Sequence, residues 1–172
     1  VVVDASTVQG PGAEQTWYRL HIAVDWVKLH LIHIEVTDKH PGEPLDYSPL
    51  QEGDGVLRDR GYNPPKTLIE PVKKGVSVVL RYNPHSMNVY DEAGEKIDLY
   101  ERLRATAQTS HCLPVRVCEG GEYLEGYVHA CRLPAQQAEQ ARRRVRVKAQ
   151  REGRTPQQRT LFLAEWVLVF TT

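Results

Sequence analysis

No apolar run in the 172-residue chain approaches the roughly 20 residues that a membrane-spanning helix needs. The opening Val1-Val2-Val3 is broken at once by Asp4, unlike the core of a signal peptide, so the sequence is read as cytoplasmic, with no membrane partner. Cysteine is scarce and odd in number: Cys112, Cys118 and Cys131 stand in a chain without secretory features, which argues against a disulfide framework. They form no Cys-x-x-Cys pair. Although His111 and His129 lie near them, the spacings are irregular for zinc, and buried or half-buried thiols are the expectation. An excess of charge of either sign is also absent, with 22 basic and 22 acidic residues, so a nucleic-acid partner has to be met by a local basic patch. There is no internal repeat and no low-complexity tract.

What is present reads as an ordinary globular chain, because 41% apolar and 26% charged residues suit neither disorder nor a fibre. The length predicts one domain, or one domain with an insertion. The β-branched run Val1-Val2-Val3 predicts a buried strand that delivers Asp4 to a rim. From Tyr18 the pattern alternates, with Tyr18, Leu20, Ile22, Val24 and Trp26 on an inner face and Arg19, His21 and Asp25 on the other. A third strand, Leu29 to Val36, has apolar residues first at odd and then at even positions, which predicts a bulge or burial on both faces. These two strands should form a hairpin. After a polar, turn-rich stretch, Val56-Leu57-Arg58 is again a short strand ending on an aspartate, Asp59.

Thr67 to Lys74 is compatible with a short helix despite Pro71, and Val76 to Tyr82 with a further strand, so this part implies a mixed sheet. Beyond Asn83-Pro84 the pattern turns to short strands (88–90, 113–118, 123–131) separated by Gly94 and Gly120-Gly121. A helix is expected between Pro134 and Gly153, with Ala138, Ala141, Val145 and Ala149 on its apolar stripe. Trp166 to Phe170 reads as a last buried strand. The division that follows is a first core segment at 1–82, a β-rich insertion with a basic helix at 83–160, and a last core strand at 161–172.

Two aspartates, each after a hydrophobic strand, would share a rim if their strands are neighbours. Magnesium suits such a rim, because it takes hard oxygen ligands and completes its shell with water and substrate phosphates. Two ions about 3.5–4 Å apart can clamp the attacking and leaving oxygens of a phosphoryl displacement. The plainer reading of each aspartate is a turn former or a helix cap.

Val3-Asp4-Ala5-Ser6, the hairpin formed by Leu20 to Asp25 with Leu29 to Val36, and Asp59-Arg60-Gly61-Tyr62 resemble, in order, the first two catalytic segments of bacterial insertion-sequence transposases of the acidic-triad class, insertion-sequence-four family. The resemblance runs over essentially the whole chain, including the closing Trp166-Val167-Leu168-Val169-Phe170-Thr171-Thr172, which looks like the strand leading toward the third motif. It implies a ribonuclease-H-like α/β fold, a mixed sheet carrying a β-rich insertion. It also implies Asp4 and Asp59 as catalytic metal ligands for Mg2+ or Mn2+, two ions in the intact enzyme, with transposon-end and target duplex DNA as partners and pairing into a homodimer. The family's third motif, a helix bearing Tyr, Arg, Glu and Lys, is not found. Glu165 lacks those companions, and the chain is expected to be an incomplete enzyme, inactive alone.

Arg142, Arg143, Arg144, Arg146, Lys148, Arg151, Arg154 and Arg159 are eight cations in a stretch whose one acid is Glu152, a composition that suits a phosphate backbone as well as it suits a solvated helix face. Arg60 would contact a DNA phosphate or pair with Asp59. Trp17, Trp26 and Trp166 fall in or beside strand patterns and are expected in the core, and His21, His30 and His33 are expected to be ordinary surface or sheet histidines. Two other readings stay open: a DNA-binding scaffold without chemistry, and a metal nuclease of the same fold that is not a transposase.

Overall fold

A computed structural model describes residues 1–8, 18–38, 50–59 and 65–172. The protein is mixed α/β, with eight strands and four helices among the described residues. It divides into two compact units, Val1–Leu80 with Thr172, and Arg81–Thr171.

The first unit contains β1 (Val2–Val8), β2 (Tyr18–Asp25), β3 (His30–Asp38), β4 (Gly55–Arg58), α1 (Lys66–Lys73) and all but the last residue of β5 (Ser77–Arg81). Its strands lie in the order β3-β2-β1-β4-β5, with β2 antiparallel to β1 and β3, and β4 parallel to β1 and β5. The β2–β3 hairpin forms as the alternation implied. Its register slips opposite Ala23 and Val24, where His33 and Leu31 are the partners and Ile32 is the extra residue of a bulge. Ile32 packs against the core cluster of Val3, Ala23, Val56 and Val76, which explains why the apolar phase of the sequence switches there.

The inner face of β2 is not the one that the alternation implied. His21 and Ala23 are buried, whereas Leu20, Ile22 and Val24 are half-buried. Ala23 aligns with Val3 of β1, and the small side chain fits where the larger ones of the other phase would crowd the core. His21 tolerates burial because its Nε2 meets the Thr37 hydroxyl at 3.0 Å. Trp26 also departs from expectation. It lies in the Trp26–Leu29 turn rather than in the core and is 67% exposed. That turn is held by the Asp25 carboxylate, which accepts from the amides of Val27 and Lys28 at 2.9 and 3.0 Å. Trp17 lies outside the described residues.

Helix α1 accommodates Pro71 in its interior. Proline has no N–H for the carbonyl one turn earlier, that of Thr67. That carbonyl instead accepts from Nη1 of the buried Arg58 at 2.9 Å, so the defect in the helix is the anchor of a guanidinium at the end of β4.

In the second unit lie α2 (Leu99–Arg104), β6 (Ser110–Glu119), β7 (Glu122–Arg132), α3 (Ala135–Arg151), α4 (Gln158–Leu163) and β8 (Trp166–Thr171). β6 and β7 form a long antiparallel hairpin across Gly120 and Gly121, both at positive φ (58° and 84°), which is the conformation a tight two-residue hairpin turn demands. β8 pairs antiparallel with β7. Val115, Val117, Leu124, Val128, Ala130, Leu168 and Phe170 alternate into the interior. The expected strand at 88–90 is reduced to isolated bridges from Tyr90 to Lys96 and Arg116. α3 begins after Pro134 and stops before Gly153, whose φ is +65°.

Candidate functional site

The residue pairing of β1 with β4 aligns Val2 with Leu57 and Val3 with Arg58. Asp4 is the next residue of β1, and Asp59 is the first residue after β4. The register therefore brings their backbones to neighbouring positions, on chains that run about 4.8 Å apart while they are paired. Side-chain alternation puts both on one face: Val3 and Arg58 are buried, and Asp4 and Asp59 are exposed. Contrary to the expected strand end, Asp4 sits within β1, which continues to Val8 because Ala5 to Val8 pair with His21 to Tyr18 on the other edge. β4 stops at Arg58.

The same face carries Ile22, the cross-strand partner of Asp4, then Ile34 opposite Ile22, and Leu57. Ile34 and Leu57 are 55% and 47% exposed. The donor set is all oxygen, which fits magnesium or manganese and not a thiol-seeking metal. Among the described residues, no cluster of three or more His, Cys, Asp and Glu side chains is placed to hold a metal. Arg60 lies outside the described residues.

Glu165 in the second unit is 9% exposed and ion-paired with Arg132 at 3.0 Å and with Arg142. It has the role of a structural anion: Arg132 also stacks over the ring of the buried Trp166, its guanidinium carbon 5.9 Å from the centroid. The cysteines do not converge on a metal. Cys112 faces His129 across the hairpin, but His129 Nε2 is engaged with the Thr171 hydroxyl at 3.0 Å. Cys112 and Cys131 are exposed, and only Cys118 is half-buried.

The basic residues of α3 separate into two sets. Arg142 binds Glu139 and Glu165, and Arg146 binds Glu139 at 3.1 Å. Hydrogen bonds from these two guanidinium groups, Arg142 first, hold the Glu139 carboxyl below the usual carboxylate range. Arg143, Arg144 and Lys148 instead project to solvent on another face together with Arg151, and with Gln140 and Val147 they line a shallow open hollow. Neither the partition into two sets nor the membership of Arg151 in the second was evident from the run of cations. Helical spacing was the available signal, since 140, 143, 144, 147, 148 and 151 recur every three or four residues.

Among the described residues, no helix is long and apolar enough to cross a membrane. Comparison of the chain with known protein families and with curated proteins returns no match.

Proposed function

We propose that residues 1–80 are the first part of a ribonuclease-H-like catalytic core and that the protein is a piece of an acidic-triad DNA transposase. The observation that carries the reading is the parallel register of β1 and β4, which aligns Val3 with Arg58 and so brings Asp4 and Asp59, each the next residue in the chain and each exposed, to neighbouring positions. Sequence spacing alone gives no reason for residues 55 positions apart to meet. Their meeting is what a shared metal requires.

In this reading Asp4 and Asp59 hold Mg2+ or Mn2+, with the carboxylates as hard oxygen donors. Divalent ions held there would supply charge neutralisation to a phosphodiester. The chain's own contribution is to fix the donors in place. Asp4 is held by pairing on both sides of β1 at its N-terminal half, and Asp59 follows directly on Arg58, whose buried guanidinium is tied to α1. The resemblance calls for a third carboxylate; Glu165, engaged by Arg132 and Arg142, is not offered for that role. Metal binding is the property of Asp4 and Asp59 that this reading predicts directly. A metal nuclease of the same fold would use the same two ligands, and the distinguishing element is the helix with Tyr, Arg, Glu and Lys that the transposase family carries.

Calorimetric titration with MnCl2 tests the ligand pair. The wild-type chain is expected to give a saturable heat that Asp4→Asn and Asp59→Asn each abolish, while Asp54→Asn, in the turn before β4, retains it. Equal heats from all four proteins would end the metal reading.

A further inference from the structure

We propose that the exposed stripe Arg143, Arg144, Lys148 and Arg151 of α3 is a binding track for the phosphate backbone of duplex DNA, and that Arg142 and Arg146 are not part of it. The proposal rests on the nucleic-acid half of the functional reading and is independent of the metal. α3 is amphipathic in an unusual sense. Ala138 and Ala149 are buried on one side, Arg142 and Arg146 are tied to carboxylates on a second, and the third side presents four cations around the exposed Val147.

Among the described residues, Arg143, Arg144 and Arg151 make no ion pair, and Lys148 has only a long contact, 3.9 Å, to Glu152. The chain as a whole is neutral, so this concentration of unneutralised charge is local. Four side chains of such length held on one rigid face repel each other and lose rotamer freedom wherever they bind, costs that a polyanion offsets by counterion release.

The make-up of the stripe favours the duplex over single strands. From residue 143 to 151 the helix rises about 12 Å, over which one DNA strand presents a phosphate about every 3.4 Å along its axis. Single strands are gripped largely by aromatic platforms on which bases stack. The residues of this stripe include none: the side chains between the cations are Gln140 and Val147. The surface has the equipment to follow a backbone and lacks the equipment to hold a base.

The test is fluorescence anisotropy with a labelled 30-base-pair duplex, in EDTA so that no metal contributes, over a series of KCl concentrations. The wild-type chain should bind, with log K falling steeply against log[KCl]. The variant with Arg143, Arg144, Lys148 and Arg151 all changed to Gln should bind at least tenfold more weakly and with a slope shallower by about 3 to 4, since each neutralised phosphate contributes about 0.9. The double variant Arg143→Gln, Arg144→Gln should lose about half of that slope. Arg146→Gln, engaged with Glu139, should keep the wild-type slope. All substituted side chains are at the surface, and circular dichroism verifies each fold. The proposal is overturned if the quadruple or double variant keeps the wild-type slope, if Arg146→Gln reduces it as much as the double variant, if the wild-type chain does not bind, or if single-stranded RNA or polyglutamate displaces the duplex at lower concentration than unlabelled duplex does. Because EDTA removes the metal, loss of DNA binding here and loss of manganese heat in the titration are separable outcomes.

Discussion

Burial depresses the basicity of His21 below its ordinary 6.5, with the Glu35 charge opposing the shift, so the folded state resists the proton that the unfolded chain accepts. As pH falls through 6.5, the unfolded state binds the proton first and stability is lost; above 6.5 both states are neutral there and the loss disappears. Denaturant titrations at pH 7.5 and 5.5 should show the wild-type protein less stable at the lower pH, and His21→Asn should shrink that difference. An unchanged difference in the variant would assign the dependence to other groups. His21 also shows what a sequence hides at this scale. Alternation identified a strand, but which of its two faces is buried depends on the size of Ala23 against Val3, Val56 and Val76, partners that only the fold supplies. Trp26 was hidden for a related reason: a tryptophan one position beyond a strand has the same local pattern whether the chain continues or turns, and the Asp25 carboxylate, by capping two amides, turns it.

Elements with a long period were legible. The alternating β2 and the bulged β3, the Pro134-to-Gly153 helix, and the strands on either side of Gly120-Gly121 were each written in several residues at once. The short α2 and α4 were not foreseen; six-residue helices contain less than two turns of pattern. A capping signal was available for α2, because Asp98 precedes Glu101 by three residues and its carboxylate accepts from the Glu101 amide at 3.3 Å. Within β7, Gly126 has an explanation that no strand propensity gives. A Cβ there would lie 2.6 Å from the Phe170 ring and 2.5 Å from the Thr171 carbonyl oxygen of the neighbouring β8. Gly126→Ala should therefore destabilise the second unit by about 1–3 kcal/mol through overpacking, read as a lowered midpoint in denaturant. A midpoint equal to the wild type's would mean that β8 moves aside without cost.

For the molecule as a whole, the sequence carried the mixed α/β class and the presence of a basic helix, because both are sums over many residues. The adjacency of Asp4 and Asp59 was a supposition until strand order was known, since a chain with the same strands in another order would separate them. Beside the strand pairing, one side-chain contact supports the Asp59 side of that adjacency. The ring of Pro71 cannot donate a proton to the oxygen of Thr67, which accepts from Arg58, and Arg58 is the covalent neighbour of Asp59. Pro71→Ala would restore the missing amide, which then competes with the guanidinium for the same oxygen. Under the metal reading, manganese affinity should drop on the order of tenfold, as when an outer support of a ligand is removed, and calorimetry with Asp4 and Asp59 both intact would register it. The grip on a cation would then be governed by an imino acid in a helix that never touches the ion.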